Sequence, residues 1–156
     1  MSGTTLYSEI MGGTLTNSRY AYFPDVNVNM MVGQVATSNL TAQTANSGAQ
    51  VLTSSALAGL YRVSCYTVLT TAGTTSSTLP QCAFQFTDAD TGVQSAYLQI
   101  TGNLSSNIVG TTQTQGFYTF NAKAGTTIQY ATLNYASSGA TPMAYAIHVR
   151  LEYLGQ

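Results

Sequence analysis

Few side chains in this 156-residue chain are suited to chemistry, and each can be judged by its neighbours. His148 is the single histidine, so a hydrolase built from nucleophile, base and orienting acid would have to use it. It alternates with Arg150 and Glu152 along the polar side of one run, so we read it as a polar surface or interface residue. Asp88 and Asp90 flank a turn before Gly92. A calcium site gathers about six to eight oxygens, so two carboxylates are read as turn formers. Glu9, Asp25, Asp88, Asp90 and Glu152 show no spacing that would set two carboxylates across a sugar. Cys65 and Cys82 lie in separate runs without CxxC spacing or a histidine nearby, which argues against zinc. They are expected to be reduced, buried thiols, with a disulfide as the alternative. No Gly-rich loop joins a strand to a helix as phosphate binding requires. The expectation is a protein without catalytic residues, metal or cofactor.

These positions fall on short alternating runs. Met143, Tyr145, Ile147, Val149, Leu151 and Tyr153 point one way, and Ala144, Ala146, His148, Arg150 and Glu152 the other. Cys82, Phe84 and Phe86 alternate with Ala83, Gln85 and Thr87, and Ile128 and Tyr130 with Gln129 and Ala131. Breakers at 72–75, Leu79-Pro80, 90–92, 102–103, 123–125 and 138–139 separate the runs. Strands are predicted near 30–37, 49–53, 59–70, 82–88, 93–101, 105–112, 115–121, 126–135 and 143–154. That gives about eight to ten, the count of an antiparallel all-β two-sheet sandwich or jelly roll. Residues 29–156 form the predicted domain. Residues 1–28 carry Leu6, Tyr7, Ile10, Met11, Tyr20, Tyr22 and Phe23 without sustained alternation and are read as an N-terminal arm. Its apolar side chains need covering, either as an extra strand on the same sandwich or by a sister subunit or scaffold.

Composition narrows the partners. Charged residues make up 6% of the chain, far below about one-quarter in an average domain, and Ser, Thr, Gly, Asn and Gln take their place. Hydroxyl and amide faces are cheaper to desolvate than ions, so such a surface suits burial against another protein. Four basic residues and a net charge of −1 leave no basic stripe for nucleic acid. No window is apolar enough for a membrane-spanning helix. The stretch from Met1 to Thr5 has neither a basic nor an apolar signal region, so the mature chain is expected to begin near Met1, without a cleavable export signal. Without that route the sequons at Asn39 and Asn103 carry no meaning.

The run Ala58-Gly59-Leu60-Tyr61-Arg62-Val63-Ser64-Cys65-Tyr66 resembles the Gly-Leu-Tyr strand of the tumour necrosis factor and complement globular-head jelly rolls. Residues 117–128, Phe-Tyr-Thr-Phe-Asn-Ala-Lys-Ala-Gly-Thr-Thr-Ile, resemble the late strand, Gly-containing turn and strand of that group, with Thr126 where the group usually has Asp. The run 143–154 takes the place of its closing strand, so the resemblance covers 49–154, about two-thirds of the chain. The Thr/Ser-rich loops and Tyr-rich strands are also similar to small virion proteins of tailed bacteriophages. The resemblance implies a homotrimer formed through flat, aromatic-rich faces. It implies contacts by Leu6, Tyr7, Ile10, Tyr20, Tyr22, Phe23, Tyr61, Tyr66, Tyr118 and Tyr135 with sister copies or a major capsid protein. The implied role is capsid decoration or cement, on a virion surface after synthesis in the host cytoplasm. The alternative is the receptor- or glycan-binding head of a tail fibre.

Overall fold

The computed structural model describes residues 33–156. The described chain is all antiparallel β, in eleven strands: β1 Gly33–Gln43, β2 Gln50–Thr53, β3 Gly59–Thr71, β4 Ser76–Leu79, β5 Gln81–Gln85, β6 Leu98–Gln99, β7 Leu104–Ser105, β8 Gln113–Ala122, β9 Ile128–Leu133, β10 Ala136–Ser138 and β11 Ala144–Gly155. One four-stranded sheet has the order β1-β11-β3-β8 and the other β2-β9-β5-β6. A small sheet, β10-β4-β7, extends the sandwich. Setting that extension aside, the strands pair from the ends inward: β1 with β11, β2 with β9, β3 with β8 and β5 with β6. Successive pairs fall in alternate sheets, so a long antiparallel ribbon has wrapped around itself. This is a jelly roll.

Alternation explains why the two sheets close on each other. Along β11, Tyr145, Ile147, Val149, Leu151 and Tyr153 are buried, while His148 and Arg150 are exposed. Along β3, Tyr61, Val63, Cys65, Thr67 and Leu69 face inward against Cys82, Phe84, Ile128 and Tyr130 of the second sheet. An aromatic cluster fills one end: the Phe120 ring centroid lies 4.9 Å from Phe84, 4.4 Å from Phe86 and 5.8 Å from Tyr61. Each buried tyrosine also carries a hydroxyl into the interlayer, and each hydroxyl finds a partner. Tyr145 donates to the Ala45 carbonyl at 2.9 Å and lies 2.8 Å from the Thr132 hydroxyl. Tyr153 donates to the Ala58 carbonyl (2.9 Å), Tyr61 accepts from the Leu57 amide (2.9 Å), and the Tyr130 and Ser38 hydroxyls meet at 2.7 Å.

Several strand boundaries depart from the alternation. β1 runs to Gln43, through bulges and Ala42 at φ 53°. β4 lies where the sequence suggested only breakers. Of 93–101 only Leu98–Gln99 is strand, and 105–112 is mostly loop. In these segments side chains take over the work of ladder bonds: the Ser95 hydroxyl accepts from the Phe86 amide, and the Thr112 hydroxyl from the Ile108 amide. Asn107 closes the other side of its loop, accepting from the Gly73 amide and donating to the Gly73 carbonyl. β9 stops at Leu133 because Asn134 takes a left-handed φ of 62°.

Tyr145→Phe keeps the ring and deletes the hydroxyl, leaving the Ala45 carbonyl unanswered. It should cost about 1–3 kcal/mol by urea unfolding, with an unchanged m-value. A loss below a few tenths would show that the hydroxyl does not anchor the 45–47 segment.

Candidate interaction face

The outward side chains of the first sheet are brought into rows by strand register. One row runs Asn39, His148, Tyr66 and Gln115, the next Thr37, Arg150, Ser64 and Phe117, and the third includes Glu152, Arg62 and Thr119. Asn39 Oδ1 accepts from His148 Nδ1 at 2.7 Å, which leaves Nε2 turned away from the protein's own bonds. The imidazole stacks on Tyr66, with ring centroids 6.1 Å apart and an interplanar angle of 23°. Tyr66 donates its hydroxyl to Gln113 Oε1 at 2.8 Å. Glu152 takes Arg62 at 2.6 Å and Arg150 at 3.1 Å, so the two guanidiniums share one carboxylate.

Phe117 stands in this face with 71% of its surface exposed, the most exposed large hydrophobic residue among those described. Beside it a shallow depression of about 330 Å³ is lined by Thr37, Asn39, Tyr66, Gln115, Phe117 and His148. The arrangement is an open surface of two rings, two amides and an ion-paired border. His148 is held by the side-chain amide of Asn39. Such a surface can stack and hydrogen-bond.

The ten expected contact residues are scattered. Leu6, Tyr7, Ile10, Tyr20, Tyr22 and Phe23 lie outside the described residues, as does the whole 1–28 arm. Tyr61 is corrected: its ring is only 1% exposed, between Phe120 and Tyr153, so it belongs to the core. Tyr66 lies on the face. Tyr118 points toward the interlayer from edge strand β8, tilted over Phe84 at 5.1 Å and 41% exposed at the rim. Tyr135 is half-buried, its hydroxyl donating to the Met143 carbonyl. Phe117, Asn39 and Gln115 were missed, because their meeting depends on the pairing of β1, β11, β3 and β8. His148 is exposed on the same face.

Away from this face, Asp88 Oδ1 accepts from the Thr91 amide (2.8 Å), the Thr91 hydroxyl (3.0 Å) and the Asp90 amide (3.1 Å). These bonds, led by the Thr91 amide, hold its carboxyl below the usual range. No group of three His, Cys, Asp or Glu residues is placed to hold a metal ion among the described residues. Cys65 and Cys82 are buried and unbridged, and the Cys65 sulfur lies 3.6 Å from the Thr67 hydroxyl. The Cys65 contact, followed by burial, drives the Cys82 thiol far above its ordinary range.

No family model matches the sequence, and no curated protein matches it. Among solved structures, the chain is similar to the CBM22-1–GH10 modules of the Clostridium thermocellum endo-1,4-β-D-xylanase 10B, a structure complexed with xylohexaose. The identity is 14%, the match covers 81% of this chain, and the TM-score is 0.39. The chain spans 28% of that protein's length, and the likeness is too slight to carry a functional argument.

The Asp88 geometry sets a pH dependence. A carboxyl whose pKa is depressed on folding stabilises the fold above its unfolded value of about 3.9, and that stability is lost as pH falls through the folded value. Thermal melts should therefore fall less steeply below about pH 4 in Asp88→Asn than in the parent chain. Equal acid-side slopes would remove the Thr91 bonds from the account.

Proposed function

We propose that this chain is a non-catalytic jelly-roll module that assembles with copies of itself, as a homotrimer, to decorate or cement a bacteriophage capsid. The observation that carries the self-assembly is Phe117, exposed on edge strand β8 of a sheet face whose arginines are ion-paired to Glu152. An exposed phenyl ring gains when covered, by roughly 25 cal/mol for each Å² removed from water. Its surroundings add little cost to that covering. Arg62 and Arg150 share Glu152 as a counterion, which leaves one net positive charge at the border, and Tyr66, Asn39 and Gln115 are neutral groups. The three motif-bearing runs support the same reading, since β3, β8 and β11 are neighbours in this one sheet. The virion setting and the trimer rest on the resemblance of the sequence to jelly-roll proteins of tailed phages.

A second occupant is favoured by the depression itself. Two rings with amides at their edges suit a sugar, whose apolar faces stack while its hydroxyls hydrogen-bond. That is the fibre-head reading, with the glycan on a sheet face instead of the terminal loops.

Sedimentation of the full chain should give three times the chain mass at micromolar concentration. Phe117→Arg should give monomers with unchanged circular dichroism, because the substitution lies outside the core; an interface anchor of this kind is worth about 2 kcal/mol or more. A chain that stays monomeric and binds a glycan array through Phe117 would reverse the order of the two readings. A monomer that binds neither shells nor sugars would end both.

A further inference from the structure

The two outer strands of the first sheet are finished differently. β1 carries two register shifts against β11 and the left-handed Ala42, the kind of irregularity that stops an edge from pairing further. β8, at the opposite edge, has neither. Its ten residues pair with β3 in unbroken register from Gly59↔Ala122 to Val68↔Gln113, and they include no charged side chain and no proline. The direction of its main-chain groups follows from the bonds at its two ends. The Thr112 carbonyl accepts from the Leu69 amide of β3, whereas the Asn121 carbonyl accepts from the Ala89 amide and the Lys123 amide donates to the Thr87 carbonyl, both on the far side of the strand. Alternate residues of a strand direct their N–H and C=O the same way, so Gln113, Gln115, Phe117 and Thr119 direct theirs away from β3. The 87–89 loop covers the edge at Asn121, and among the described residues no strand pairs with it from Gln113 to Thr119.

We propose that this open edge pairs antiparallel with the same edge of a second copy, about a two-fold axis at Gly116, the midpoint of the open stretch. The contact rests on the self-assembly reading and adds to it a second interface, through which trimers are linked to one another. Phe117 then lies opposite Gln115 of the second copy, and Gln113 opposite Thr119, and each such pair exchanges both of its main-chain bonds. The Phe117 rings of the two copies become diagonal neighbours on the outer face and come within reach of each other. That covers the most exposed large hydrophobic side chain among the described residues. A two-fold contact sets every side chain near its own counterpart, so a strand charged with one sign would repel itself. β8 is neutral along its whole length, and a charged foreign strand would find no counterion on it.

Amide hydrogen exchange at single-residue resolution, on the full chain from about 10 μM to about 1 mM, tests the pairing. A short-strand contact is smaller than the roughly 1,200 Å² of a lasting interface, so it should form in the upper part of that range. The amides of Gln113, Gln115, Phe117 and Thr119 should slow at least about tenfold as concentration rises, while those of Thr114, Gly116, Tyr118 and Phe120, already bonded to β3, stay unchanged. Thr119→Pro removes an outward amide and no bond to β3, which an edge strand tolerates. It should abolish species heavier than the trimer in sedimentation, and Thr119→Ala, which keeps the amide, should not. Outward amides that exchange equally fast at every concentration overturn the proposal, as does growth beyond the trimer in Thr119→Pro equal to the parent's. Outward amides already slow in the most dilute sample overturn it too, since the edge would then be covered without this contact. If Thr119→Pro does not fold, the exchange pattern of the parent chain decides alone. Trimers that never associate sink the edge contact and leave the face reading standing, whereas a monomer that dimerises with its outward amides protected sinks the trimer and keeps the edge.

Discussion

Two sheets can share one dry interlayer only if nearly every polar atom carried into it is answered; among the described residues the Thr114 hydroxyl is buried without a partner, and the largest side chains that must be answered are four tyrosines. Tyr61, Tyr130, Tyr145 and Tyr153 are each at most 3% exposed, and leaving any one hydroxyl unpaired would cost about 1–3 kcal/mol. The hydroxyls reach the rim and fasten onto the chain between strands. Tyr145 holds Ala45, Tyr153 holds Ala58, and Tyr61 holds Leu57. Ser47 and Thr132 complete the seal by exchanging amide-to-hydroxyl bonds at 2.6 and 3.1 Å. The connections on both sides of β2 are therefore fixed by core residues, and a ribbon that must wrap twice around itself has little freedom left in register.

That register is what makes the outer face. Because β11 pairs with both β1 and β3, His148 is placed between Asn39 and Tyr66, and Glu152 beside Arg62. Nothing in the face requires a loop to move or a lid to close. Arg62 and Arg150 share the one carboxylate of Glu152, so the surface reaches any partner with its arginines ion-paired and one net positive charge left at the border. Phe117 faces outward while Phe120 on the same strand faces inward, as a separation of three residues dictates.

The sequence was most readable where one face of a strand is core and the other is wet. β11, β3 and the inward phase of β5 follow directly from alternation, and the all-β jelly roll with them. It was least readable between 86 and 112, where Ser95, Asn107 and Thr112 side chains substitute for ladder bonds and leave no period to detect. β4 escaped notice because Ser76, Ser77 and Thr78 look like a loop, yet Ser77 is buried and pairs with β10. Tyr61 was placed at an interface although it alternates in phase with Val63 and Cys65. Tyr66, five residues on, has the opposite phase. Only the pairing of distant strands unites Asn39, Gln115 and Phe117, and no spacing along the chain encodes that.

The most direct measurement of the central claim, that the outer face of the first sheet is covered by another copy, is hydroxyl-radical footprinting read by mass spectrometry across a dilution series. The account predicts that Phe117 and Tyr66 lose reactivity together as concentration rises, while exposed Val93, in the loop between β5 and β6, keeps its own. Phe117 and Tyr66 reacting equally at every concentration would contradict it.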